Sequence, residues 1–82
     1  MPGYHLEEIV KGKIGESSKI LEEVQELIDA EQQGVRIMVL VELSDLIGAI
    51  EAYLVQNFPD WSMGDLSSMA AVTARAFRVG CR

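Results

Sequence analysis

The stretch VRIMVLVELSDLIGAIEAYLV, residues 35–55, decides the fold class. Three structures compete for it. IMVLVEL taken alone has the apolar, β-branched composition of a strand. The whole stretch is long enough to span a bilayer. It can also be a helix packed inside a protein. Its length argues against a strand, and Leu46, Ile47, Ile50 and Leu54 recur at helical spacing. Glu42, Asp45 and Glu51 argue against a membrane span, because insertion scales charge about 2.5–3.5 kcal/mol for an Asp near mid-membrane. The stretch therefore reads as a helix over about 35–57, apolar nearly all round and so packed on most sides. Leu43, Leu46, Ile47, Ile50 and Leu54 cover one broad side of it. Met38, Val41, Ala49, Ala52 and Tyr53 surround Glu42 and Asp45 on another, leaving a narrow solvated strip near Ser44 and Glu51.

Working outward, the spacing predicts an earlier helix over about 14–32, with a short helical lead-in from Leu6 broken near Gly12. Ile14, Leu21, Val24, Leu27 and Ile28 share one face and are the expected core side. Glu16, Lys19, Glu23, Glu26 and Ala30 form an adjoining stripe, so Glu23 and Glu26 can aim at one neighbour, whereas Glu22 points toward solvent. Gln32, Gln33 and Gly34 end this helix. A third helix begins near WSMGDLSSM, residues 61–69, where Ser62 and Asp65 have the spacing of a capping box. Leu66, Met69, Thr73 and Phe77 are its expected buried side, and Met38, Met63 and Met69 read as core filler. Gly34 and Pro59 are the strongest punctuation, and no strand signal, repeat or low-complexity run is visible. The expected fold is all-α, with three main helices in a single domain over residues 1–82.

A core in 82 residues supplies only about 3–5 kcal/mol by itself. Yet 49% of the chain is hydrophobic. Self-association is the expected remedy, with the helical bundle completed in a homodimer or homotetramer. A net charge of −6 and a pI near 4.5 argue against nucleic acid as a partner. Cys81 is the only cysteine, so no intrachain disulfide can form and no zinc spacing exists. The start, MPGYHLEEIV, lacks the regions of a signal peptide. The expected location is cytoplasmic, away from membranes. His5, a lone histidine near the terminus, reads as incidental.

The acids carry the chemistry. A buried carboxylate must be paired, protonated or metal-bound. No Lys or Arg lies within residues 37–74, so a cation from solvent is the natural partner for Glu42 and Asp45. Oxygen ligands without Cys or His select a hard ion, Mg²⁺ or Mn²⁺. Glu23 and Glu26 are spaced i, i+3, as are Glu42 and Asp45, so each pair projects from one helix face. EEVQE alone would ordinarily be a solvated face. A matching pair in the next, apolar helix weakens that reading.

EEVQE, residues 22–26, followed by ELSD, residues 42–45, resembles the E-x-x-E … E-x-x-D signature of the all-α nucleoside triphosphate pyrophosphatases. These are the MazG-like enzymes, related to dimeric dUTPases and to phosphoribosyl-ATP pyrophosphohydrolase. The resemblance covers about residues 13–55, and the tail DLSSMAAVTARAFRVGCR is similar to short phage and bacterial members. One E-x-x-E is weak; both half-motifs at this spacing are more specific. The resemblance implies a MazG-like fold and Mg²⁺, with Mn²⁺ as a substitute, on Glu23, Glu26, Glu42 and Asp45. Glu22 matches a position often acidic in that family and ranks below these four. It also implies hydrolysis of (d)NTPs between the α- and β-phosphates, giving a (d)NMP and pyrophosphate. Glu23 or Glu26 would take the proton of the attacking water. The chain lacks the extra helices that often close over the base, and family members build their four-helix cores by pairing protomers.

A polyanionic substrate needs positive charge besides the metal. Lys13 and Lys19 form one candidate group and Arg75, Arg78 and Arg82 another. The blander readings are a Lys19–Glu23 pair at i, i+4 and arginines placed favourably at a helix C-terminus. Trp61 or Tyr53 can stack on a base, although packing is the commoner use of such residues. Two rival functions remain: a non-catalytic oligomerisation or regulatory module that binds metal or nucleotide, and phosphoribosyl-ATP hydrolysis by the same acids.

Overall fold

A two-residue turn organises the chain. In the computed structural model, which describes residues 8–78 except the side chains of Ala76 and Phe77, helix α1 spans Ser17–Gln33 and α2 spans Arg36–Asn57. Gly34 adopts φ 75° between them. A side chain would be strained there, which is why glycine closes so many helices. Its N–H donates to the carbonyls of Ala30, at 3.2 Å, and Glu31, at 3.1 Å. Val35 is extended and caps α2. The chain then runs back along α1, and at the far end Asn57 Nδ2 donates to the Gly15 carbonyl at 3.0 Å. The result is an antiparallel hairpin in which α1 packs on α2.

α2 stops where the Phe58 N–H takes the Leu54 carbonyl at 2.7 Å, just before Pro59. The expected capping box then starts α3, Met63–Arg78. Asp65 N–H donates to Ser62 Oγ at 3.2 Å, and Ser62 N–H donates to Asp65 Oδ2 at 2.8 Å. Each side chain satisfies a backbone donor that the helix start would otherwise leave open. An apolar groove of about 400 Å³ runs between the end of α2 and α3, lined by Ile50, Tyr53, Trp61, Leu66 and Met69 among others.

All described elements are helical, and none is long and apolar enough to cross a membrane. Three helices lie where the spacing puts them, with one correction in front. Residues 8–13 are not helical, so the expected lead-in does not extend up to Gly12; Leu6 lies outside the described residues, as do His5, Cys81 and Arg82. Gly12 instead presses on the backbone at Ser18 and Lys19, where a Cβ would collide.

The larger correction concerns which face is inside. The expected core side of α1 is turned out: Ile14, Leu21 and Ile28 are exposed, Leu21 to 57%, with Val24 and Leu27 half-buried. Its buried residues are Glu22, Glu23, Asp29 and Ala30. On α2, Leu43 and Ile47 are exposed, Leu46 and Ile50 half-buried, and Leu54 buried. Met69 is also exposed, so it is not core filler, while Met38 and Met63 are half-buried. On α3, Leu66 and Thr73 are half-buried, and the side chain of Phe77 lies outside the described residues. The physical reason is simple. A two-helix hairpin can cover only one face of each helix, and here the covered face of α1 is the acidic one.

Candidate metal centre

α1 is amphipathic the wrong way round for a lone hairpin. Lys19, Glu22, Glu23, Glu26, Asp29, Ala30 and Gln33 recur at three- and four-residue steps and make up its inner face. Glu22 is 2% exposed and Glu23 4%. Glu42 of α2 is buried against them, and Glu26 is half-buried. Asp45 is exposed, so only Glu42 of the two α2 acids is enclosed as the apolar surroundings suggested.

Two acid triplets result. Glu22, Glu23 and Glu26 form one within α1; Glu23, Glu42 and Asp45 form the other across the hairpin. In each, one carboxylate oxygen per residue lies within 4.8 Å of the others. Glu23 belongs to both. Glu23 of the first half-motif is thus brought to Glu42 and Asp45 of the second, with Glu22 and Glu26 beside it on α1. The expected solvent orientation of Glu22 is corrected: that orientation follows from an apolar stripe facing inward, and the stripe faces out.

Cations reach the cluster from its rim. Lys19 Nζ lies 3.2 Å from Glu22 Oε1 and 3.2 Å from Glu23 Oε2. Lys11 Nζ lies 3.7 Å from Glu22 Oε2. The Gly12 N–H donates to Glu22 Oε1 at 2.8 Å, strapping the segment before α1 over this acid. Burial alone would raise the Glu22 carboxyl, but the Gly12 N–H and the two lysines outweigh it and hold it below the ordinary value. Burial likewise pulls Lys19 down, and the carboxylates of Glu23 and Glu22 outweigh it, so the ammonium is held above its ordinary value. Glu26 moves the other way. Burial, then the adjacent Glu23 carboxyl, then the charges of Glu42 and Glu22 push it from 4.5 to about 7.

One atom remains unexplained by these contacts. Glu23 Oε1 is buried with no hydrogen-bond partner. Buried polar atoms are nearly always satisfied, and a buried carboxylate oxygen without a partner is costly. It belongs to the one acid shared by both triplets. A divalent ion fits that place, since the donors are all carboxylate oxygens, the set that suits Mg²⁺ or Mn²⁺.

The proposed substrate-contacting residues separate. Lys19 sits at the acids. Lys13 does not: it is exposed and pairs with Glu16 at 3.6 Å. Arg75 and Arg78 are exposed in the last turn of α3, and Arg82 lies outside the described residues. Trp61 is exposed and Tyr53 half-buried, both at the α2–α3 groove. Sequence reasoning passed over Asp29, Lys11 and Gly12. Asp29 is buried and bonded by Gln33 Nε2. The signal for it was there: Glu22, Glu26, Asp29 and Gln33 continue one helical stripe. Nothing in the sequence announces the Gly12 strap.

No family model matches this chain, and neither a curated protein nor a solved structure matches it.

Proposed function

We propose that this chain is a Mg²⁺-dependent nucleotide pyrophosphohydrolase of the MazG-like all-α kind, hydrolysing (d)NTPs to a (d)NMP and pyrophosphate. The observation that carries the reading is Glu23: buried, common to both acid triplets, and presenting an oxygen with no partner. Glu23, Glu26, Glu42 and Asp45 would hold the ion, with Glu22 beside them. When bound, Mg²⁺ neutralises phosphate charge and activates water. The chain's own groups do the rest. Lys19, a quarter exposed at the rim, reaches both the acids and solvent and contacts the substrate phosphates. Glu26, outside the cross-hairpin triplet, accepts the proton of the attacking water. The water oxygen bonds to the α-phosphorus, and pyrophosphate leaves with the bridging oxygen.

The working form is a homo-oligomer. Only Ala30, Ala49 and Leu54 are buried apolar residues among those described, while Leu21, Ile28, Leu40, Ile47 and Val55 are among many large apolar ones left exposed. A second copy supplies a self-complementary cover for that face.

The test is pyrophosphate release from the ribo- and deoxyribonucleoside triphosphates, with Mg²⁺ or EDTA, for wild type and Asp45→Ala. The expected result is metal-dependent turnover, reduced at least about 100-fold by losing the ligand. Folded, assembled wild type that binds Mg²⁺ without turnover would replace the enzyme with a metal- or nucleotide-binding module.

A further inference from the structure

Lys19 holds an unusual place. It lies on the inner face of α1, one turn before Glu22 and Glu23. Its ammonium bridges an oxygen of each at 3.2 Å, although both acids are almost fully buried and Lys19 itself is 26% exposed. It thus leans into the carboxylate cluster from a position with an exit to solvent. A hard divalent ion on these carboxylates sits about 2.1 Å from its ligand oxygens. An ammonium bonded to the same carboxyl groups would then be a like charge within about 4 Å, a strongly repulsive distance in a partly buried site. One cation must give way. The lysine can, because its charge is carried on a flexible four-carbon stem.

We propose, building on the metal-centre reading above, that Lys19 is a resident counter-ion: it neutralises Glu22 and Glu23 while the ion is absent, is displaced when a divalent ion enters, and is thereby released to meet an anionic substrate. The same lysine balances the acids in one state and the phosphates in the other. This orders events. Metal comes first, and the phosphate-contacting charge becomes available only afterwards. Lys11, 3.7 Å from Glu22 Oε2 and 81% exposed, stays a rim charge throughout.

Titration of the whole chain with Mg²⁺ or Mn²⁺ alone, by calorimetry, tests this. Lys19→Met should bind the ion on the order of tenfold more tightly than wild type, because a unit charge at this range moves an ionic equilibrium by about one log unit or more. Lys11→Met should change affinity by less than about twofold, as exposed charges do. Equal or weaker binding by Lys19→Met would overturn the exchange and leave the metal centre standing. No binding by any of the three proteins would remove both. A wild-type measurement guards against a variant that misfolds: acylation of Lys19 by an amine-reactive probe, followed by peptide mass spectrometry. Reactivity should rise several-fold when Mg²⁺ is added; an unchanged or lower reactivity would defeat the proposal.

Discussion

Glu26 shows how one side chain reports the state of its neighbours. Its carboxyl is raised to about 7 from 4.5 by burial and by the acids around it. The metal-free folded protein therefore holds this proton more tightly than the unfolded chain does. The stability it contributes is complete below about 4.5 and is lost as pH rises through about 7. In EDTA, the melting temperature of wild type should thus fall between pH 5 and pH 8 by more than that of Glu26→Gln, as a thermal scan across that range reads out. Parallel curves for the two proteins would mean that Glu26 is not under this strain. Glu22 has the opposite sign, since its folded value is lowered, and its contribution is lost at low pH. The contrast between these two glutamates was not legible in EEVQE. Both lie on one helix, but the strap through Gly12 and the two lysines bind Glu22. Long-range contacts of that kind leave no periodic trace. That Glu23 lies near Glu42 and Asp45 was legible, because i, i+3 spacing on consecutive helices is a local property.

At the scale of the element, α1 is the informative case. Its limits were readable to within a few residues from the apolar period and from Gly34. Which face it buries was not. Periodicity locates two faces on a helix but does not say which meets the first neighbour in the chain and which waits for another. Leu21 separates the possibilities. At 57% exposure, Leu21→Glu in an isolated hairpin would be a surface change worth within about ±0.5 kcal/mol. If the outer face is covered by a second copy, the same change costs at least about 2 kcal/mol, the value of burying a leucine. Chemical denaturation should show that larger loss, and light scattering should show smaller particles. A neutral result in both would make the apolar stripe a bare surface. α3 follows the opposite logic from α1. Its start was fully readable, because Ser62 and Asp65 satisfy each other across three residues.

At the scale of the whole molecule, the proposed ion and the proposed second protomer would both stabilise the fold by mass action. Each would bind the folded state and be absent from the unfolded one. The melting temperature should therefore rise with protein concentration in EDTA, and rise again with Mg²⁺. At an ion concentration about 100 times the dissociation constant, the added stability is about 2.7 kcal/mol. Calorimetric scans across a dilution series, with and without Mg²⁺, measure both. A melting temperature independent of concentration would mean that the hairpin and α3 stand alone. The Gly34 turn adds a constraint of another kind. Glu23 and Glu42 meet because a fixed number of residues and one sharp reversal separate them. An extra residue inserted in the last turn of α1 swings the earlier acids about 100° relative to α2. Every carboxylate would still be present, and none would face its counterpart. The chain is thus tuned in length as well as in letters, and a single insertion or deletion between the half-motifs can undo the acid cluster as surely as losing an acid.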